Sequence, residues 1–180
     1  PDPGVLAALR ARQHDVVTVA QLLGAGADRA WIHRQVAAGH WRRLHLGVLV
    51  THSGPVAWAS RGRAALLSAG AGAVLSHASA AYLHGWAPAP SRIEVLIPHG
   101  RRPRTRTDVT IRRRREAPVV RRVRGLAVTA APDTVLDLVA GAGGDDDALG
   151  WVCAAVRAGT PPGAVVARAA SRQRLARRGL

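Results

Sequence analysis

Along the first 38 residues the apolar positions recur at helical spacing, and over the next dozen they change toward alternation. Val5, Leu6 and Leu9 mark a short helix ending near Arg12. Thr18-Val19-Ala20-Gln21 has the form of a capping box, in which a threonine hydroxyl caps a new helix and a glutamine three residues on reaches back. That helix carries Leu22 and Leu23 and stops at Gly24 to Gly26, where glycine can supply a tight turn. Asp28 then caps a third helix, expected from about Arg29 to Ala38 and closed by Gly39. Helix, short turn, helix is the spacing of a helix-turn-helix. Between His40 and Gly47 polar and apolar residues roughly alternate, as in two short strands meeting at a bend and continuing to Val50. A hairpin in that place is the wing of a winged helix-turn-helix, expected over residues 1–52.

Beyond Pro55 the order of elements is mixed. The pattern predicts a helix over Val56–Ala69, a strand over Ala73–Leu75, and a helix capped by Ser76 and ended by Gly85. Strands follow at Arg92–Pro98, Val109–Arg115 and Leu126–Thr129, with an arginine-rich loop between the first two. A helix over Thr134–Ala140, an acidic linker over Gly141–Asp147, and helices over Ala148–Ala158 and Pro162–Arg178 complete the chain. The expected class is therefore α+β, with an α+β domain over residues 55–180 after the winged helix-turn-helix.

In the third helix Ile32 and Val36 lie four apart and mark a buried stripe. At about 100° per residue Arg34 points nearly opposite them, flanked by Ala30 and Ala38. Trp31 and His33 sit on the shoulders and Gln35 nearer the core edge. A long donor among small side chains is what a helix entering the major groove needs, because arginine pairs bidentately with guanine and glutamine with adenine. Arg42, Arg43 and His45 on the hairpin add cations suited to phosphates. A plain solvated face is the competing account of the helix alone, and the adjoining cationic hairpin weighs against it.

Composition sharpens this. Every one of the 26 basic residues is arginine, and the net charge is +15. Such an excess calls for a polyanionic partner, of which nucleic acid is the commonest. A membrane surface is the runner-up, but no basic amphipathic helix with a bulky apolar face is apparent, and no run of about 18 apolar residues exists. The cytoplasm is the expected compartment. The charge is concentrated: residues 99–125 hold eleven arginines against Asp108 and Glu116, a net +9. In this stretch Arg101, Arg102, Arg104 and Arg106 lie in the loop and Arg112, Arg113, Arg114 and Arg115 in a strand. Four successive arginines in a strand alternate up and down, so both faces must be wet or contact a polyanion, and the sequence predicts an edge strand or a protruding hairpin. Guarding a strand edge needs fewer charges than this, so nucleic acid is favoured as the reason for them.

Candidate chemistry is sparse. The eight histidines include His40 with His45 and His77 with His84, but no cysteine or carboxylate completes a ligand set at metal spacing. Asp133 and Asp137 sit one turn apart, and a nuclease would want a further acid and usually a lysine, which the chain lacks. Asp133 is expected to cap its helix and Asp137 to face solvent. Asp145, Asp146 and Asp147 read as a solvated first turn favouring the helix dipole. The single cysteine, Cys153, is expected to be buried and inert. No cofactor, metal or catalytic residue is expected.

The stretch QHDVVTVAQLLGAGADRAWIHRQVAAGHWRRLHLGVLV, Gln13 to Val50, resembles the N-terminal winged-helix domain of AbiEi-type antitoxins, transcriptional regulators of type IV toxin–antitoxin pairs. AVLSHASAAYLHGW, RIEVLIP and GLAVTAAPDTVLDLVA resemble the blocks that follow in that family, in the same order. Leu49 stands where the family often has an aromatic, and Asp133 where it often has arginine. Many members continue into a very-short-patch-repair-like endonuclease domain, which would begin about where Leu180 falls. The resemblance implies repression of the chain's own operon at a double-stranded operator and antagonism of a nucleotidyltransferase-like toxin. Two other classes compete: the non-catalytic N-terminal part of such a nuclease protein, and an RNA-binding module. The 3% aromatic content argues against the latter, since single-strand readers stack bases on aromatics.

Overall fold

The computed structural model describes residues 1–101, 103 and 108–172. They form an α+β protein that divides into two compact units, residues 1–73 with 100–109, and residues 74–99 with 110–180.

The first unit opens with α1 (Pro3–Arg12), where the Asp2 carboxylate accepts from the amides of Gly4 (2.7 Å) and Val5 (3.1 Å). A three-residue strand, β1 (Val16–Thr18), runs straight into α2 (Val19–Gly24). The expected capping box is formed: Gln21 N–H donates to Thr18 Oγ1 at 3.1 Å and Thr18 N–H to Gln21 Oε1 at 2.9 Å. Gly26 adopts φ +81°, a left-handed turn that glycine makes without strain. Asp28 then caps α3 (Arg29–Ala37) by accepting from Trp31 N–H at 2.6 Å. Leu22, Ile32, Trp41, Val17 and Leu49 form one buried cluster, so α2 and α3 share a core with the strands.

β2 (Arg42–His45) and β3 (Val48–Val50) make the expected hairpin, and β1 pairs antiparallel with the other edge of β3. The register of β2 on β3 shifts between Arg43 and His45. A bulge there turns the strand by one residue, and the alternation read from the sequence fails beyond it. His45 thus comes opposite Val48 and is buried, at 3% exposure, while Leu46 at the tip is 72% exposed. α4 (Trp58–Ala69), assigned from sequence to the second part of the chain, packs on β1, β2 and β3. Its Ala64 joins Val16 and Val48, and Ser60 Oγ donates to the His14 carbonyl at 2.9 Å.

The second unit is a five-stranded sheet of order β6-β5-β4-β8-β7, built from β4 (Val74–Leu75), β5 (Ile93–Pro98), β6 (Val109–Arg114), β7 (Val120–Val123) and β8 (Leu126–Thr129). β4 is antiparallel to β5 and parallel to β8. Ile93, Val95, Ile97, Leu75, Leu126 and Val128 fill its interior. Of the helices α5 (His77–Leu83), α6 (Ala131–Gly141), α7 (Asp145–Arg157) and α8 (Pro162–Ser171), α6 is central, packing against each of the other three. Ser76 was expected to cap α5 with its side chain; instead the Glu94 carboxylate on β5 accepts from Ala78 N–H at 2.9 Å. Cys153 is exposed, contrary to expectation, because α7 buries the Ala148 and Ala155 side and Cys153 lies off that stripe.

Candidate nucleic-acid interface

The exposed face of α3 is made of Arg29, Ala30, His33, Arg34, Ala37 and Ala38. It is opposite the side that buries Ile32, so a capped, core-anchored helix presents one central guanidinium between alanines. Ala30, Ala37 and Ala38 lie beside Arg34 on this face, with His33 and Arg29 as its larger side chains. Gln35 is half-buried, and its Oε1 lies 3.3 Å from His40 Nδ1. Trp31 is also half-buried, edge-on to Trp41 with ring centroids 5.1 Å apart. The Trp31 ring therefore contributes chiefly to packing α3 onto the sheet. Arg29 belongs to this face and was not singled out from sequence; its place in the first turn after the Asp28 cap is the signal that could have found it.

On the hairpin, Arg42 and Arg43 are both exposed. Arg42 Nη2 donates to the Gly54 carbonyl, which fixes the guanidinium while leaving its other N–H groups available. Arg43 lines a cavity of about 330 Å³ with Leu44, His45, Val56, Arg61, Ala64 and Asp108. His45, expected as a surface cation, faces that interior instead, because the bulge reverses its side. In the arginine loop, Arg101 is exposed but folds back: its guanidinium lies against Gly70 and donates to the Ala71 carbonyl. Arg102, Arg104 and Arg106 lie outside the described residues.

The run Arg112–Arg115 behaves differently from what alternation predicted. β6 is an edge strand, as expected. Yet Arg112 and Arg114, on one face, are tied to acids far away in sequence. Arg112 Nη2 meets Glu94 Oε1 at 2.9 Å. Arg114 reaches Asp133 Oδ1 and Asp137 Oδ1, each at 3.1 Å. Arg113 and Arg115 are exposed.

Asp133 and Asp137 are the centre of a buried ionic network rather than a cap and a surface residue. Asp133 has no exposure; besides Arg114 it accepts from Arg168 Nε at 3.1 Å and from Val119 N–H at 3.0 Å. Asp137 also accepts from Arg172 Nη2 at 2.6 Å. Glu116 pairs with Arg168 at 3.4 Å. Hydrogen bonding to Asp133, above all, raises the Arg168 pKa further above its ordinary value. Helix α6 places the two aspartates one turn apart on its buried side, and three guanidiniums from β6 and from the end of α8 converge on them. Two histidines of the same unit are pushed below their ordinary pKa by burial: His77, near Asp137, Glu94, Arg112 and Arg114, and His84. His84 Nε2 lies 2.9 Å from the Thr129 carbonyl, which can only accept, so the proton sits on Nε2. Among the described residues no helix is long and apolar enough to cross a membrane.

These features define an α+β protein of two compact units, each with its own sheet. No family model matches the chain, and no curated protein does. Among solved structures it is similar to the crystal structure of the RV2827C protein from Mycobacterium tuberculosis, with a TM-score of 0.60 at 18% identity, over 93% of this chain and 70% of that one. At that identity the likeness concerns the fold.

Proposed function

We propose that the chain is a sequence-specific duplex DNA-binding regulator without catalytic activity. In this reading the first unit is a winged helix-turn-helix: α2 and α3 are the helix pair, α3 enters the major groove, and β2 with β3 is the wing. The observation that carries it is Arg34, exposed at the middle of a helix whose outer face is otherwise mostly alanine and whose inner face is locked into the core. Arg34 and His33 read base edges, while Arg42 and Arg43 contact phosphates. Binding of the upstream region, followed by fluorescence anisotropy, tests it. Arg34→Ala should cost about 1–3 kcal/mol and relax preference at one base pair, and Arg42→Ala should weaken all sequences alike. Wild-type binding by both variants would remove the assignment.

The absence of catalysis rests on the acids. Asp133 and Asp137 are the paired carboxylates a metal nuclease would use, and both are occupied by guanidiniums at 2.6–3.1 Å. A divalent ion would have to displace those cations. The same preparation with Mg²⁺ should leave supercoiled plasmid uncut.

The antitoxin role, with repression of the chain's own operon and a nucleotidyltransferase-like toxin as partner, rests on the resemblance to AbiEi-type antitoxins. Growth rescue on co-expression with such a toxin is its test.

A further inference from the structure

At the end of β6, in the second unit, a cavity of about 640 Å³ is lined by His99, Arg113, Arg114, Arg115, Glu116, Ser171 and Arg172. We propose that this cavity is a phosphate-binding site, separate from the α3 surface and independent of how that surface is used.

Two of its cations are built in. Arg172 is 7% exposed, and its guanidinium is held by Asp137 at 2.6 Å. Arg114 is held by both Asp133 and Asp137. Guanidiniums fixed in this way lose little side-chain entropy when a ligand arrives, which is the main cost of gathering arginines around an anion. The other two, Arg113 and Arg115, are exposed at the rim, and Arg115 makes no hydrogen bond or ion pair among the described residues.

The charge balance sets the ligand. Arg113, Arg114, Arg115, Arg172 and the adjoining Arg168 give five positive charges, and Glu116, Asp133 and Asp137 give three negative ones, leaving +2. The carboxylates face Arg114, Arg172 and Arg168 inside the cavity, and Arg115 carries its charge at the rim. A phosphate dianion, or two successive phosphodiesters, matches that surplus. Planar guanidinium forks suit the oxygens of phosphate in two-point contacts. Ser171, whose hydroxyl donates to the Arg168 carbonyl at 2.9 Å, and His99 complete a polar wall. An apolar ligand finds little there to bury against.

The same phosphate chemistry could come from a nucleic-acid backbone or from a free phosphorylated compound, and the experiment separates them. The full chain is titrated calorimetrically with inorganic phosphate and with pyrophosphate, and by anisotropy with a duplex of arbitrary sequence across a salt series. The double variant Arg113→Gln/Arg115→Gln is compared with wild type and with Arg34→Ala/Arg42→Ala. Both changed residues of the first variant are exposed, so its melting temperature should match wild type.

If the backbone is the source, the duplex salt slope becomes shallower by up to about 1.8 in Arg113→Gln/Arg115→Gln, at about −0.9 per phosphate contact. If a free compound is the source, pyrophosphate binds wild type and weakens about tenfold or more in that variant, as expected on losing charged hydrogen bonds, while the duplex slope stays put. In either case the site survives in Arg34→Ala/Arg42→Ala, so failure of the α3 assignment would be seen separately. Phosphate, pyrophosphate and duplex binding all unchanged in Arg113→Gln/Arg115→Gln would overturn the proposal.

Discussion

Asp133 is fully buried and still takes part in ion pairs with Arg114 and Arg168, while its second oxygen accepts from the Val119 amide. Removing one partner of such a set leaves the others desolvated without compensation, which typically costs about 3–5 kcal/mol. Asp133→Ala should therefore lower the unfolding free energy by about that much in a urea titration. Arg112→Ala should cost under about 1 kcal/mol, because the Arg112 side chain is half exposed and water can take its place beside Glu94. Equal losses in the two variants would show that the network adds nothing beyond a surface pair. At this scale the sequence was legible wherever a residue's partner lay within a few positions. Thr18 with Gln21 and Asp28 with Trp31 were readable because capping is local. The roles of Arg112 and Arg114 were not, because their acids lie 18 to 23 positions away and meet them only across the folded sheet. A run of four arginines looks uniform in sequence; folding pairs Arg112 and Arg114 with distant acids and sinks only Arg114 below the surface.

Helix α5 is held at both ends by groups from the sheet. Glu94 on β5 accepts its Ala78 amide, and His84 at its end donates to the Thr129 carbonyl on β8 while stacking on Trp86 at 5.0 Å. Burial lowers the pKa of both His84 and His77 relative to the unfolded chain. Between the folded and unfolded values the unfolded state binds more protons, so stability rises with pH there. It is fully present above about 6.5, the ordinary histidine value, and is lost as pH falls toward the lowered one. Thermal melts should thus be flat from pH 8 to 7 and decline toward pH 5. His84→Gln, which keeps a donor for Thr129, should decline less steeply; an identical slope would mean that His84 does not contribute. The longer elements were legible from periodicity and boundary residues. The strands β1 and β7 were not, since Val16-Val17-Thr18 runs straight into the α2 cap and Val120–Val123 holds two exposed arginines between its valines. The β2 bulge escaped for a related reason. Nothing local in Arg43-Leu44-His45 marks the extra residue, and register is decided by the facing strand.

Over the whole molecule the +15 charge is distributed between two uses. Part of it neutralises buried acids in the second unit, and other arginines are exposed on α3, the hairpin, the rim beyond β6 and β7. The proposed antitoxin role engages the entire chain, and growth rescue on co-expression with a nucleotidyltransferase-like toxin reads it directly. Rescue that persists in Arg34→Ala/Arg42→Ala would assign toxin antagonism to surfaces other than the α3 face; no rescue by the wild-type chain would remove the role. The α+β class, the helix pair followed by a hairpin and the exposed Arg34 were all determined by sequence alone. Each depends on local hydrogen bonding or on the spacing of apolar residues within one element. Tertiary structure alone decided that His45 turns inward, that α4 joins the first sheet, that Asp133 and Asp137 bind arginines, and that Arg113 and Arg115 border a cavity with Arg172. Those facts depend on which distant segments come to face one another, and side-chain periodicity within one segment holds no information about its partner.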